Sequence, residues 1–469
     1  MSRRNKRKLF KEVEVIDAGA KGKSVARAED GRVIFLNNAV PGDVVDIQTY
    51  KQRKAYYEGK AVHFHKYSSK RTDPKCAYFG TCGGCKWQHM DYASQLEYKE
   101  KEVVNNLTRL GHIELPEVTP ILGSEAQYYY RNKMEFSFSD SRWLTEEEIN
   151  SKDPIGNRNA IGFHIPGMWD KIIDIEHCWL QKDPSNAIRN AVRTFATEQG
   201  MAFFNTRNKT GLLRTLMIRT SSTGELMVLI QFFENDVEAI ESLMNFLKTS
   251  FPEITALLYV VNNKANDTLY DQNIICYAGR DYIFEEMEGL KFKINAKSFY
   301  QTNSEQAYEL YKITRDFAGL SGNELVYDLY TGTGTIAQFV SRKAKFVVGV
   351  EAVPDAISAA KENAQLNGID NVSFYVGDMK QVFNDAFIAE HGQPEVVITD
   401  PPRDGMHKDV VQQLLKLNPE KIVYVSCNSA TQARDLELMK DQYKVVKVQP
   451  VDMFPQTHHV ENVVLLEKI

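Results

Sequence analysis

The chain has 469 residues, enough for about three domains at roughly 100–200 residues each. Charged residues make up 25% and apolar residues 43%, and no apolar run nears the ~20 residues of a membrane span, so a membrane protein is excluded as a reading. The basic start "MSRRNKRKLFKEVEV" has no apolar stretch behind it, which argues against a secretory signal and for a cytoplasmic protein. The net charge of −5 conceals an asymmetry: residues 1–75 carry +9 and the rest −14. A basic N-terminal module on an acidic body points to a polyanion partner. A solvated basic tail is the plain alternative, because much of the excess lies in Arg3, Arg4, Lys6, Arg7, Lys8 and Lys11.

Residues 11–67 read as a small all-β module. The strand candidates "EVEVIDAG", "SVARA", "RVIFLNN", "VVDIQTY" and "EGKAVHFHKY" are separated by turn signals, among them "EDG", "PGD" and the basic stretch "KQRKAYYEG". Five short strands in this length fit an OB-like barrel, a fold that often binds oligonucleotides. Arg53 and Lys54 beside Tyr56 and Tyr57 suggest combined phosphate and stacking contacts.

"CAYFGTCGGC" follows, placing Cys76, Cys82 and Cys85 within ten residues, with Cys178 in "IEHCWL" as a distant fourth thiol. Such clustering in a cytoplasmic chain argues for metal rather than disulfides. Four thiolates suit zinc or an iron–sulfur cluster, and the five-residue first gap is unlike the two-to-four-residue gap of common zinc sites. Cys276, in the strand-like "NIICYA", reads as a core residue. Residues 92–110 look helical, with Gly111 as terminator. From about 120 to 290 the pattern is α+β, including the hairpin "LLRTLMIRTSSTGELMVLIQFF" and the helix "EAIESLMNFLKTSF".

From about 300 strands and helices alternate, which predicts a parallel doubly wound sheet. Its first strand and turn, "DLYTGTGTIA", carry Gly332 and Gly334 where a helix opens, and the second strand ends in Glu351. Glycines let the backbone approach a ligand, and an acid at that point can accept hydrogen bonds from a ribose diol. Both NAD and S-adenosylmethionine use this arrangement. The fourth strand ends "TDPPR", 399–403, a rigid loop suited to hold a planar base beside the reacting group. The fifth, "VYVSCN", ends at Cys427, where open α/β sheets bind ligands. A thiolate there can add to carbon 6 of a pyrimidine and make carbon 5 nucleophilic. Such a scheme needs a base; Glu461 in "HHVENVV" is the first candidate and Asp452 the second. A buried, inert thiol and solvent-facing carboxylates are the plain alternatives.

These motifs, with "YRNKMEF", "SFYQTN", "GVEAVPDAI" and "DMFPQTHHVE", make the chain resemble the bacterial RNA uracil-5 methyltransferases, specifically the iron–sulfur 23S rRNA type with an N-terminal TRAM domain. The likeness covers nearly the whole chain. It implies a TRAM OB-like RNA-binding domain at 1–70, a central α+β iron–sulfur domain at 71–295 and a Rossmann-like class I methyltransferase domain at 296–469. It implies Cys427 as nucleophile and Glu461 as general base. It places Gln301, Tyr330, Glu351, Asp378 and Asp400 at S-adenosylmethionine, beside Gly332 and Gly334. Asp378 stands where some members have an amide, and Thr335 where some have Asn. It makes Cys76, Cys82, Cys85 and Cys178 the ligands of a [4Fe-4S] cluster, and sets Arg131 and Lys133 near RNA phosphates. The implied substrate is a uridine in structured RNA, 23S rRNA foremost and tRNA second, acted on by a cytoplasmic monomer. Two rivals from the residues alone are an oxidoreductase using the cluster for electrons and a non-catalytic RNA-binding protein. The first has no use for "TDPPR" with a strand-end Cys, and the second none for Cys427 with Glu461.

Overall fold

The computed structural model describes residues 7–151 and 154–469, so Arg3, Arg4 and Lys6 of the basic start lie outside the described residues. Among the described residues the strands form a closed five-stranded barrel, two seven-stranded sheets and a two-stranded ribbon.

The barrel comprises β1 (Leu9–Ala18), β2 (Ser24–Arg27), β3 (Val33–Asn37), β4 (Val44–Gln52) and β5 (Tyr56–Lys66), in spatial order β1-β2-β3-β5-β4. Strict alternation drives it: Val45, Ile47 and Thr49 point inward, while Val44, Asp46 and Gln48 do not. Two expectations need correction here. Most of "KQRKAYYEG" is strand, leaving only residues 53–55 as the turn. Tyr57 is fully buried in the barrel core, with the Arg32 guanidinium 4.1 Å from its ring centroid, so it offers no stacking face to RNA. Its inward phase follows from the period of two, which puts Tyr56 and Tyr57 on opposite faces.

Helix α1 (Tyr92–Arg109) links the barrel to the body, its start capped by Asp91, which accepts from the Ser94 amide. The central region contains β6 (Lys133–Ser139), α2 (Glu146–Asn150), β7 (Ala160–Ile165), β8 (Met168–Asp174), α3 (Ser185–Glu198), β9 (Leu213–Thr220), β10 (Leu226–Phe232), α4 (Val237–Ser250), β11 (Ala256–Val261) and β12 (Ile275–Gly279). Its sheet runs β12-β11-β10-β9-β6-β7-β8. β12 is an edge strand paired only to β11, and Cys276 on it is exposed rather than core. An apolar run at a sheet edge is not covered as a central strand is.

The ribbon β13 (Tyr282–Met287) and β14 (Leu290–Asn295) leads into α5 (Ser304–Ala318). The last sheet is built from β15 (Leu325–Leu329), α6 (Thr335–Ser341), β16 (Phe346–Glu351), α7 (Pro354–Leu366), β17 (Val372–Val376), α8 (Met379–Val382), α9 (Asp385–His391), β18 (Val396–Thr399), α10 (Lys408–Leu417), β19 (Lys421–Ser426), α11 (Ser429–Met439), β20 (Tyr443–Val451) and β21 (Glu461–Lys468). The order is β17-β16-β15-β18-β19-β21-β20, with β21 antiparallel to both neighbours. The expected all-parallel sheet is therefore corrected to one with a single reversed strand. α11 carries the chain past one position, and the short link 452–460 is too brief for a crossover, so β21 must return antiparallel into the gap. No helix among the described residues is long and apolar enough to cross a membrane.

Candidate active site

A cleft of about 1120 Å³ opens along the carboxyl ends of β15, β16, β18 and β19. Gln301, Tyr330, Gly332, Thr335, Glu351, Asp378, Asp400, Cys427 and Glu461 all line it.

The first turn is built around positive backbone angles: Tyr330 has φ 63°, Gly332 56° and Gly334 74°. A bulky aromatic at such an angle costs on the order of 1–3 kcal/mol, strain that gathers at functional sites. The two glycines serve different ends. Nothing lies within 4 Å of a Cβ built on Gly332, which leaves its side open to a ligand. A Cβ on Gly334 would meet Phe374 at 2.8 Å and Ala360 at 2.9 Å. Gly334 thus also permits close packing of the helix on its neighbours, between Thr333 and Thr335 of the cleft lining. Glu351 accepts from the amides of Gly332 (3.2 Å) and Val353 (3.0 Å), which fixes its carboxylate at the cleft. Asp378 caps the short α8 by accepting from the Lys380 amide at 3.0 Å.

Register brings the reacting pair together. Ser426 of β19 lies opposite Asn462 of β21, so the next position along places Cys427 across from Glu461. Glu461 is itself opposite Val451 of β20 and is 5% exposed. Burial, then the charges of Glu461 and Asp400, pushes the Cys427 thiol up to about 11, while Arg403 pulls it down. Burial followed by Asp400 raises the Glu461 carboxyl to about 8, again opposed by Arg403. Asp400 is raised to about 7 by burial and by Asp328. Asp328 is raised to about 7 by burial as well; one of its oxygens accepts from the Thr331 hydroxyl and the other has no partner. This is a site of crowded, desolvated acids in which Arg403 is the cation acting on Cys427 and Glu461, a pattern typical of catalytic clefts.

Sequence reasoning missed Arg403, although it directly follows the two prolines it had singled out. The Arg403 carbonyl accepts from Asn428 Nδ2 (2.9 Å) and Thr431 Oγ1 (3.1 Å), which fasten the "DPPR" loop to the start of α11. Arg403→Gln should move the rising limb of the pH–rate profile to higher pH. The reasoning is one of sign: thiolate and carboxylate must both be deprotonated to act, and removing the cation raises both groups further. A limb that stays in place would show that Arg403 does not act on either group.

Asn132 was also missed as a functional residue. It donates from Nδ2 to Gln301 O and Ser304 Oγ, both at 2.8 Å, and so positions the "FYQTN" segment in the cleft wall. Its neighbour Tyr130 donates to Pro455 O at 2.9 Å. The guanidinium of Arg131 sits 5.2 Å from the Phe454 ring centroid, and its Nε is buried without a partner. Lys133 pairs with Glu135 at 2.6 Å. Asp452, the second candidate base, is fully buried in an ion pair with Lys99 and does not line the cleft.

Cys76, Cys82, Cys85 and Cys178 converge on one separate, almost wholly apolar pocket, walled by Tyr78, Phe163 and Trp179. Among the described residues no group of three or more His, Cys, Asp or Glu is gathered so that it could hold a metal ion. Four thiols lining one pocket are a donor set of the chemical type that thiolate-bound metals use. Burial raises all four thiols, Cys82 to about 11 and Cys85 to about 12, so unliganded they are neutral. Arg189 is fully buried near Cys178, and its Nη1 has no partner. A buried guanidinium is costly to keep charged, and both Asp174 and Cys178 lie near enough to act on it.

The family model described as tRNA (Uracil-5-)-methyltransferase matches residues 271–469. A Bacteroides thetaiotaomicron protein named as an uncharacterized RNA methyltransferase is 58% identical over 96% of this chain and 99% of its own length. A Chlorobaculum tepidum RNA methyltransferase is 38% identical over 97% of this chain and 96% of its own. Among solved structures, the Pyrococcus abyssi tRNA (uracil-54, C5)-methyltransferase in complex with S-adenosyl-L-homocysteine superposes with a TM-score of 0.75 at 26% identity, covering 97% of this chain and all of that one. Taken with a cleft at the carboxyl ends of a reversed-strand α/β sheet, these likenesses establish that the chain belongs to the tRNA (uracil-5-)-methyltransferase family and is an S-adenosylmethionine-dependent RNA methyltransferase.

Proposed function

We infer that the protein methylates carbon 5 of a specific uridine in RNA, with 23S rRNA as the substrate, through a covalent bond between Cys427 and carbon 6. The observation that carries this is the register that sets Cys427 and Glu461 side by side in the cleft. S-adenosylmethionine, held by Gln301, Tyr330, Gly332, Gly334, Glu351, Asp378 and Asp400, supplies an electrophilic methyl group. Addition of the Cys427 thiolate to carbon 6 forms the C–S bond and moves the ring electrons onto carbon 5 and the carbon-4 oxygen. Carbon 5 takes the methyl group as the sulfur–methyl bond breaks and its electrons return to the cofactor's sulfur, leaving a neutral thioether, and Glu461 then removes the carbon-5 proton. The electrons restore the 5,6 double bond and expel the thiolate. A base inside structured RNA must first leave its stack to reach Cys427. With Glu461 raised to about 8, turnover should rise with pH through that region.

Residues 1–70 are read as a TRAM RNA-binding module, residues 71–295 as the central domain and residues 296–469 as the methyltransferase domain of a cytoplasmic monomer. A tRNA substrate is the second reading, favoured by the uracil-54 enzyme that the fold matches. Mapping 5-methyluridine by mass spectrometry in rRNA and tRNA from a deletion strain tests both. Loss of one 23S rRNA site is expected. Loss confined to tRNA would install the second reading, and no loss in either would remove the function.

Cys76, Cys82, Cys85 and Cys178 are proposed as [4Fe-4S] ligands, supported by their convergence on one pocket. Protein purified without oxygen should contain iron and sulfide and absorb in the visible region. Stoichiometric zinc without iron would overturn the assignment.

A further inference from the structure

Against the cysteine pocket, sharing His177 and Trp179 with its wall, lies an aromatic cluster that the methyl-transfer chemistry does not use. Tyr128, Tyr129, His177 and Trp179 are all half-buried, and Lys75 is exposed. The Lys75 ammonium stands 3.9 Å from the Trp179 ring centroid, 5.1 Å from that of Tyr128 and 5.8 Å from that of Tyr129. His177 and Trp179 are 4.3 Å apart between centroids, and Tyr129 and Trp179 5.5 Å. The rings are held firmly. The Tyr129 hydroxyl bonds His177 Nε2 at 3.0 Å, and the Tyr129 amide donates to Trp179 O at 2.8 Å. Tyr129 has a positive φ of 57°, uncommon for a bulky residue.

The same short segment reaches the active site. Two residues after Tyr129, Arg131 donates its amide to Leu180 O at 2.8 Å and places its guanidinium against Phe454 of the 452–460 link. The cluster is thus joined by a few residues to the 452–460 link that leads into Glu461.

We propose that Lys75, Tyr128, Tyr129, His177 and Trp179 form a stacking platform for an unpaired base of the substrate RNA, outside the catalytic cleft. The inference rests on the chain being an RNA methyltransferase, since the cluster by itself does not choose a partner. Fixed rings with partly open faces suit bases of any sequence, and a lysine among them suits the adjoining phosphate. In the free protein the Lys75 ammonium covers the Trp179 face by a cation–π contact. Its long stem allows it to swing to a phosphate as a base takes its place. The chemistry selects a single strand, because a duplex keeps its base faces stacked on one another.

The test uses the full-length holoprotein with decauridylate and a 12-base-pair RNA duplex as probes. Trp179→Ala should weaken decauridylate binding about ten-fold and leave duplex binding unchanged. Trp179→Phe should restore most of the loss, which a merely structural role for the indole would not predict. Lys75→Gln should lower the log–log salt slope for decauridylate by about 0.7, one phosphate contact on a single strand. Decauridylate carrying 5-iodouridine should photo-cross-link within residues 128–129 or 177–179, as mapped by mass spectrometry. Wild-type affinity for Trp179→Ala, an unchanged slope for Lys75→Gln, or cross-links only elsewhere would each overturn the proposal. If Trp179→Ala fails to fold, Lys75→Gln and the cross-link map decide. S-adenosylmethionine binding by every variant separates this outcome from failure of the methyltransferase reading.

Discussion

Cys427→Ala is expected to abolish methyl transfer and every covalent link to RNA, while Glu461→Gln accumulates a covalent protein–RNA adduct that already carries the new methyl group. The two residues act at opposite ends of one sequence. Without the thiol no bond to carbon 6 forms, and carbon 5 of uracil is too weak a nucleophile to attack unaided. Without the carboxylate, addition and methyl transfer remain open, but the carbon-5 proton has no acceptor, so elimination stalls. Gln is close in shape to Glu and removes a buried acid, so the β19/β21 pairing that places it is not disturbed. Both variants would be incubated with RNA and methyl-labelled S-adenosylmethionine and run on a denaturing gel. A labelled, shifted band from Glu461→Gln and none from Cys427→Ala is the expected result. Activity in Cys427→Ala would remove the nucleophile from the proposal. An inactive, adduct-free Glu461→Gln would move the base elsewhere, and not to Asp452, whose carboxylate is taken up by Lys99.

How much of this was legible in the sequence follows from the distance over which each feature is encoded. The barrel was readable because alternation such as that of Val45, Ile47 and Thr49 is local. Most of the cleft was readable for the same reason: Tyr330, Asp400 and Cys427 each follow a strand end and Glu351 closes one, so one short motif fixes each of them. Gly334 could be seen as a special position, but only its surroundings, Phe374 and Ala360, show the packing that requires a glycine there. Cys276 was misread because an apolar pentapeptide looks the same at the edge of a sheet as in its centre. Arg189 was invisible: nothing in a helix sequence says that one guanidinium will be buried near a thiol. The reversed β21 was equally hidden, since strand direction depends on where the preceding helix delivers the chain. The least legible feature of all joins residues 353 positions apart, Lys99 and Asp452.

Breaking that pair should cost more stability than any single surface change and should disturb catalysis from a distance. Lys99 on α1 donates to Asp452 at 2.6 Å, and neither side chain has any exposure. Asp452 also accepts from the Tyr92 hydroxyl (2.9 Å) and the Phe454 amide (3.0 Å), and Lys99 donates in addition to Phe454 O (3.2 Å). Burial pulls the Lys99 ammonium below its ordinary range, so the carboxylate is what keeps it charged. Gln95 and Gln456 extend the clamp with reciprocal bonds of 2.9 and 3.1 Å. Together these contacts hold the link that leads into Glu461. Lys99→Met leaves a buried carboxylate with neutral donors only, and Asp452→Asn leaves a buried ammonium without its counter-charge. Either should cost about 3–5 kcal/mol, read as a lower urea midpoint. Glu102 adds to the effect: burial has raised it to about 7 against the pull of Lys99, and without that cation it moves further up. The Lys99→Met/Asp452→Asn double variant should recover part of the loss, because no uncompensated charge remains at either position. In the single variants that still fold, turnover should fall more than S-adenosylmethionine affinity, because the link carries Glu461 while the cofactor-side loops stand on other strands. A Lys99→Met protein within 1 kcal/mol of wild type would show that the pair is not what fixes the catalytic loop to the first helix.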